Sequence, residues 1–151
     1  MNPVYAAYLD CLEDLHRQIH EAIDDLPVEA LDWSPGPEMN SLAVLVVHLG
    51  AAERYWIGDV ALQDPAGRDR PAEFRAQGLG AADLGQRLDD SLHYARQALE
   101  KLPLEALGEQ RYSPVSGSTC SAAWAVLHAL EHTATHLGHI QVLRQLWDGR
   151  Q

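Results

Sequence analysis

The chain has 151 residues, with 22 acidic and 11 basic side chains and a formal net charge of −11. Its 46% hydrophobic and 22% charged residues are proportions of a chain that folds in water around one core, so a single domain over 1–151 is expected. The basic residues form no patch or stripe, which excludes a nucleic-acid backbone or an anionic membrane surface as partner, and no apolar run is long enough to span a bilayer.

The first residues, MNPVYAAYLDCLEDL, are acidic where a secretory leader is basic, so a cytoplasmic protein is expected. Cys11 and Cys120 are the two cysteines; without a secretory context they predict no disulfide, and no CxxC motif is present to hold zinc.

Residues 3 to 25 predict the first helix. Tyr5, Tyr8, Leu9, Leu12, Leu15, Ile19 and Ile23 recur at spacings of three and four, Pro3 suits the first turn and Pro27 stops the helix. His16 sits at the edge of that stripe and could line a central pocket. Residues 27 to 39, rich in proline, read as a loop, with Trp33 a lid on the bundle end. Asn40 or Ser41 caps a second helix that runs to about Leu62 and is apolar on more than one face, which predicts burial. His48 lies in its most apolar part. Tyr55 and Asp59 follow on the same face as candidates for lining a pocket.

Residues 63 to 80 form a long connection with one helical turn near Pro71 to Ala76. A third helix covers 81 to 102, with Leu84, Leu88, Leu92, Ala95, Leu99 and Leu102 as its apolar stripe and His93 in solvent. A second connection, 103 to 118, leads to a fourth helix that starts near Ser118 or Thr119 and ends at Gly149. Strand signals are weak throughout. The expected architecture is an all-α four-helix bundle.

The fourth helix carries HALEHTATHLGHI, with histidines at 128, 132, 136 and 139. At eight histidines in 151 residues, twelve residues would hold roughly 0.6 by chance, and these hold four. On a helix the four fall within about 80° of arc, and His132 and His136 are one turn apart, so two imidazoles can meet at one point. A ladder of neutral histidines without metal would leave buried ring nitrogens unpaired, which is costly. A divalent metal relieves that cost, and His48 is the one other histidine amid a strongly apolar helix. His48, His132 and His136 are the predicted metal ligands. Imidazole suits Zn, Ni, Cu or Fe. Thr133 follows His132, so this is not the HExxH of zincins. Glu131 flanks the stripe and reads as a surface carboxylate. Three neutral ligands leave coordination positions open, as in catalytic sites. Tyr55, His16, His128 and His139 are the nearby candidates for proton transfer or substrate contact.

NSLAVLVVHLGAAERYW (40–56), HTATHLGHIQVLRQLWDG (132–149) and the loop RDRPAEFRAQGL (68–79) resemble the DinB/YfiT-like metalloenzyme superfamily. The resemblance covers nearly the whole chain. It implies an up-down-down-up topology, a three-histidine site on His48, His132 and His136 with nickel or zinc, His139 beside the site, and a homodimer. Related enzymes use low-molecular-weight thiols: mycothiol-dependent maleylpyruvate isomerases and bacillithiol or glutathione transferases. In those isomerases a glutamate stands where this chain has His132, which argues against that activity. The expectation is a metal-dependent enzyme acting on a small molecule by thiol transfer or hydrolysis, the alternative a metal-binding or associating bundle without catalysis.

Overall fold

The computed structural model describes residues 1–150. Helix α1 (Pro3–Ile23) begins where the Asn2 side chain accepts the Val4 N–H, with Pro3 in its first turn. Helix α2 (Val28–Asp32) lies inside the stretch expected to be loop; Ala30 and Leu31 are fully buried, and that burial outweighs the proline-rich composition. Helix α3 (Leu42–Glu53) is capped by the Ser41 hydroxyl, which accepts the Val44 N–H. The second long helix does reach Leu62, but from Arg54 to Leu62 it winds as a π-helix. That segment ends at Gln63, which sits at φ 61°, and the N–H groups of Gln63 and Asp64 both donate to the Gly58 carbonyl.

Short helix α4 (Arg70–Glu73) falls where one helical turn was expected, capped by the Asp69 carboxylate. Helix α5 (Ala81–Lys101) and a 3₁₀ turn (Leu104–Gly108) follow. A β-hairpin then corrects the expectation of an unstructured connection. Strands β1 (Gln110–Ser113) and β2 (Ser118–Ser121) pair antiparallel, Gln110 opposite Ser121, with Gly117 at φ 65° in the turn. Helix α6 (Ala122–Asp148) starts later than expected, because Ser118 and Thr119 are in β2 and Ser121 caps it. It ends at Asp148; Gly149, at φ −74°, stays in the right-handed region and does not use its freedom to turn left-handed.

Pairings along the helices fix the topology. His48 meets His132 and His136, and Trp56 meets His128, so α3 and α6 run antiparallel. Gly50 lies against Arg87 and Ser91, and Gly58 against Tyr94, so α3 and α5 run parallel. His20 contacts Asp89 and Arg96 pairs with Glu13, so α1 and α5 are antiparallel. Gln18 meets Gln141 and Asp25 pairs with Arg144 further along both helices, so α1 and α6 are parallel. This is the up-down-down-up order, and it needs the long 63–80 connection to return the chain for a parallel neighbour.

The core divides along the bundle axis. One apolar cluster holds Leu9, Leu12, Ile57, Leu99 and Ala125, the other Ile19, Ile23, Leu49, Leu88 and Ile140. Between them lies a buried polar layer with one side chain from each long helix. Glu53 accepts from His16 Nε2 at 2.9 Å, Thr133 Oγ1 at 2.6 Å and Ser91 Oγ at 2.5 Å. A buried carboxylate is tolerable only when its lone pairs are met by donors in this way.

Candidate metal centre

His48 comes from the helix whose sequence is apolar all round, so its ring is forced inside, at 6% exposure. Its Nδ1 donates to Glu73 Oε2 at 2.8 Å. Glu73, 4% exposed, is brought in by α4, and Arg68 clamps it with Nε on Oε1 at 2.6 Å and a terminal nitrogen on Oε2 at 2.9 Å. The carboxylate can only accept, so the proton sits on Nδ1 and the Nε2 lone pair faces α6.

On α6, one turn separates His132 and His136. His132 Nε2 lies 3.2 Å from His48 Nε2 and 3.2 Å from His136 Nε2. Nitrogens bound tetrahedrally to zinc at 2.0–2.1 Å lie roughly 3.3–3.4 Å apart. Two of the three separations therefore already stand near the spacing that one cation would impose, and all three donor atoms lie within 4.8 Å of one another. Hydrogen bonding alone serves them poorly: the His48 Nε2 has no proton to give, and the single Nε2 proton of His132 can satisfy only one neighbour. His132 Nδ1 is buried with no partner at all. A shared divalent cation fits this donor set.

Burial holds the rings neutral, as ligands must be. It pushes His132 down to about 3, helped by His136 and His48, and His136 to about 4, helped by His48. His48 is lowered by burial as well, opposed by Glu73.

The other expected residues are placed apart from this trio to different degrees. His139 is exposed at the edge, its Nδ1 3.3 Å from His136 Nδ1. His128 is stacked on Trp124, centroids 4.5 Å apart, stands edge-on to Trp56 and is held by Glu131 at 3.1 Å. Its ring centroid is 5.9 Å from that of His132, so it borders the site. His16 belongs to the Glu53 layer, fully inside, and the structure does not bring it to the three rings. Tyr55 lines a pocket as expected, in the cleft that Asp59 also lines, while its hydroxyl bonds Ser113 Oγ at 2.8 Å and accepts the Val115 N–H, anchoring the hairpin. Asp59 is paired with Arg54. Trp33 packs edge-on against Trp147 at the bundle end, as expected of a lid.

Sequence reasoning did not single out Glu73, Arg68 or Phe74, whose ring lies 5.0 Å from that of His48. The available signal was the Asp–Arg–Pro start of a helical turn inside 68–79, which predicts a small helix and hence one face turned inward.

The family model described as Mycothiol-S-transferase matches residues 7–149. No curated protein sequence matches the chain. Among solved structures, a conserved protein from Enterococcus faecalis is similar over 99% of this chain and 99% of its own, with a TM-score of 0.79 and 16% identity. YfiT from Bacillus subtilis is similar over 96% of this chain and 89% of its own, with a TM-score of 0.77 and 15% identity; it is described as a "probable metal-dependent hydrolase with an unusual four-helix bundle topology". At those identities the two structures speak to the fold, and they agree with the helix order derived above.

Proposed function

The chain belongs to the Mycothiol-S-transferase family, and on that premise we propose that it is a metal-dependent enzyme that transfers the sulfur of a low-molecular-weight thiol, mycothiol first among the candidates, to a small electrophile. The observation that carries the reading is the meeting of the His48, His132 and His136 Nε2 atoms, with a buried carboxylate fixing the tautomer of the first. Zinc or nickel suits these three imidazoles. When bound, such a cation holds a thiol as thiolate, or lowers the pKa of water, near neutral pH.

The chain's own groups supply the rest. Glu73 keeps the His48 proton on Nδ1, and Arg68, bonded to both carboxylate oxygens, keeps Glu73 aimed. Trp124, His128 and Phe74 form aromatic walls on either side of the trio, which favour an acceptor with an apolar or aromatic body. His139, exposed, lies 3.3 Å from His136 Nδ1, on the ring edge away from the ligating Nε2, and orients that ring, while the proton that the thiol loses passes to solvent. In the transfer the S–H bond breaks, an S–C bond forms and the acceptor's leaving group departs.

The description of the B. subtilis structure supports hydrolysis as the second reading. One experiment separates them. Purified protein loaded with zinc or nickel is given mycothiol and an aryl or alkyl electrophile, and separately an ester or amide without thiol. Thioether formation that requires thiol supports transfer; release of acid without thiol supports hydrolysis; neither, with metal bound, sinks both in favour of a non-catalytic bundle. Elemental analysis accompanies it: about one metal per chain is expected, and none in the His132→Ala, His136→Ala double variant. Unchanged stoichiometry in that variant refutes the site.

The same reading has the chain as a cytoplasmic homodimer. Exposed Val4 and Leu127 beside an apolar groove of about 310 Å³ between α1 and α6 support pairing; a monomer mass by sedimentation equilibrium rejects it.

A further inference from the structure

A cleft of about 660 Å³ lies between α3 with its π-helical extension, the 63–80 connection and α5. That volume is in the range of small-molecule sites. None of the three histidines lines it. It sits on the α5 side of α3, whereas the histidines face α6.

The cleft's charges are unevenly spent. Each acidic side chain on its wall is engaged: Asp59 by Arg54 and the Ala66 N–H, Asp69 by the Ala72 N–H, Glu73 by Arg68 and His48, and Asp90 by Gln86. Arg54 and Arg68 are consumed in those pairs, and Arg54 also lies over the Tyr94 ring at 3.8 Å. Arg75 and Arg87 are different. Both line the cleft, both are exposed, and among the described residues neither guanidinium has a carboxylate or hydrogen-bond partner. Four arginines and four carboxylates line the cleft, so its formal charges balance, but Arg75 and Arg87 are the two cations there without an ion-pair partner and are free to meet an added anion. Behind them the surface is apolar, formed by Val47, Ala51, Leu79 and Tyr94.

We propose that this cleft binds a small organic anion with an apolar body, its carboxylate or phosphate on Arg75 and Arg87 and its body against Val47, Leu79 and Tyr94. Guanidinium is suited to either head group, since its fork matches both. The site is separate from the metal centre, though it shares a wall with it: Arg68 and Glu73 line the cleft and also hold His48. The proposal does not depend on metal being bound.

The test is calorimetric titration of the full chain with naphthoate, naphthyl phosphate and, as an uncharged control, naphthylmethanol. The expected result is saturable binding of at least one anion, weaker by at least about tenfold in the Arg75→Ala, Arg87→Ala variant, since the charged hydrogen bonds to the head group are lost. The uncharged control should lose at least as much. Both arginines are on the surface, so that variant folds, and its circular dichroism checks this. Affinity should be unaltered in the metal-free His132→Ala, His136→Ala variant, which keeps failure of this idea apart from failure of the metal reading. Preference for one head group names the natural ligand class. No binding of either anion, equal binding by the arginine variant, or loss of binding in the histidine variant overturns the proposal.

Discussion

Glu73 decides how the His48 ring presents itself. Replacing it by Gln keeps the size and removes the charge, so the tautomer is no longer fixed. Metal affinity should fall about 10–100-fold, as is usual when the partner of a ligand histidine is lost, and chelator competition reads it; an unchanged affinity would show that Glu73 only fills space. The depressed histidines make a second prediction. Their folded values, about 3 for His132 and about 4 for His136, lie below the 6.5 of the unfolded chain, so unfolding takes up protons below about pH 6.5. The metal-free protein should therefore be destabilised as pH falls from 6.5 towards 4, by at most about 1.4 kcal/mol per pH unit for each ring. Melting curves of the wild type and of the His132→Ala, His136→Ala variant should converge towards low pH; parallel curves would contradict the shifts. At this scale much was legible. His48, His132 and His136 stood out because imidazole is expensive on an apolar helix face. Glu73 did not, because a glutamate in a short polar turn looks like any solvated one until the turn is folded over α3.

Elements were readable where the apolar period is long and hidden where context overrides it. α1 and α5 matched the expected ranges within two residues because their stripes are regular and their ends carry proline or glycine. The π-helix could not be seen, since Tyr55, Trp56, Ile57, Gly58, Val60 and Ala61 are all buried and leave no one-sided stripe whose period could be read. The β-hairpin was invisible because Gln110–Ser113 and Ser118–Ser121 show no alternation of apolar and polar residues; Tyr55, far away in sequence, ties it down. In the π-helix, Gly58 leaves room for Arg54 to cross onto Tyr94: a Cβ there would lie 1.8 Å from Arg54 Nη1 and 2.5 Å from the Tyr94 hydroxyl. Gly58→Ala must push that arginine away. A loss of about 1–3 kcal/mol is expected, seen as a Tm lower by about 2–4 °C per kcal/mol. A Tm equal to wild type would mean that Arg54 moves without cost.

Across the whole molecule, the four-helix order was expected through resemblance, and the observed pairings bear it out; the polar layer that divides the core was not anticipated. His16 looked like an edge residue and Glu53 like the polar end of an apolar helix, because neither shows its partner until four helices are brought together. Glu53→Ala strands three buried donors at once. A cost of about 3–5 kcal/mol is expected, measurable by urea unfolding, and a loss below about 1 kcal/mol would show that the layer contributes little. The layer has a further effect. With one rung from each rod at a common height, it acts as a dowel against axial slip. A slide by one turn, about 5.4 Å, would tear a rod from Glu53 and carry its imidazoles the same distance. His132 directly precedes Thr133, and His48 stands five positions before Glu53 on the same rod. The height at which the three rings face one another is thus keyed by a joint the cation never touches, and the outer faces can drift in sequence without detuning it.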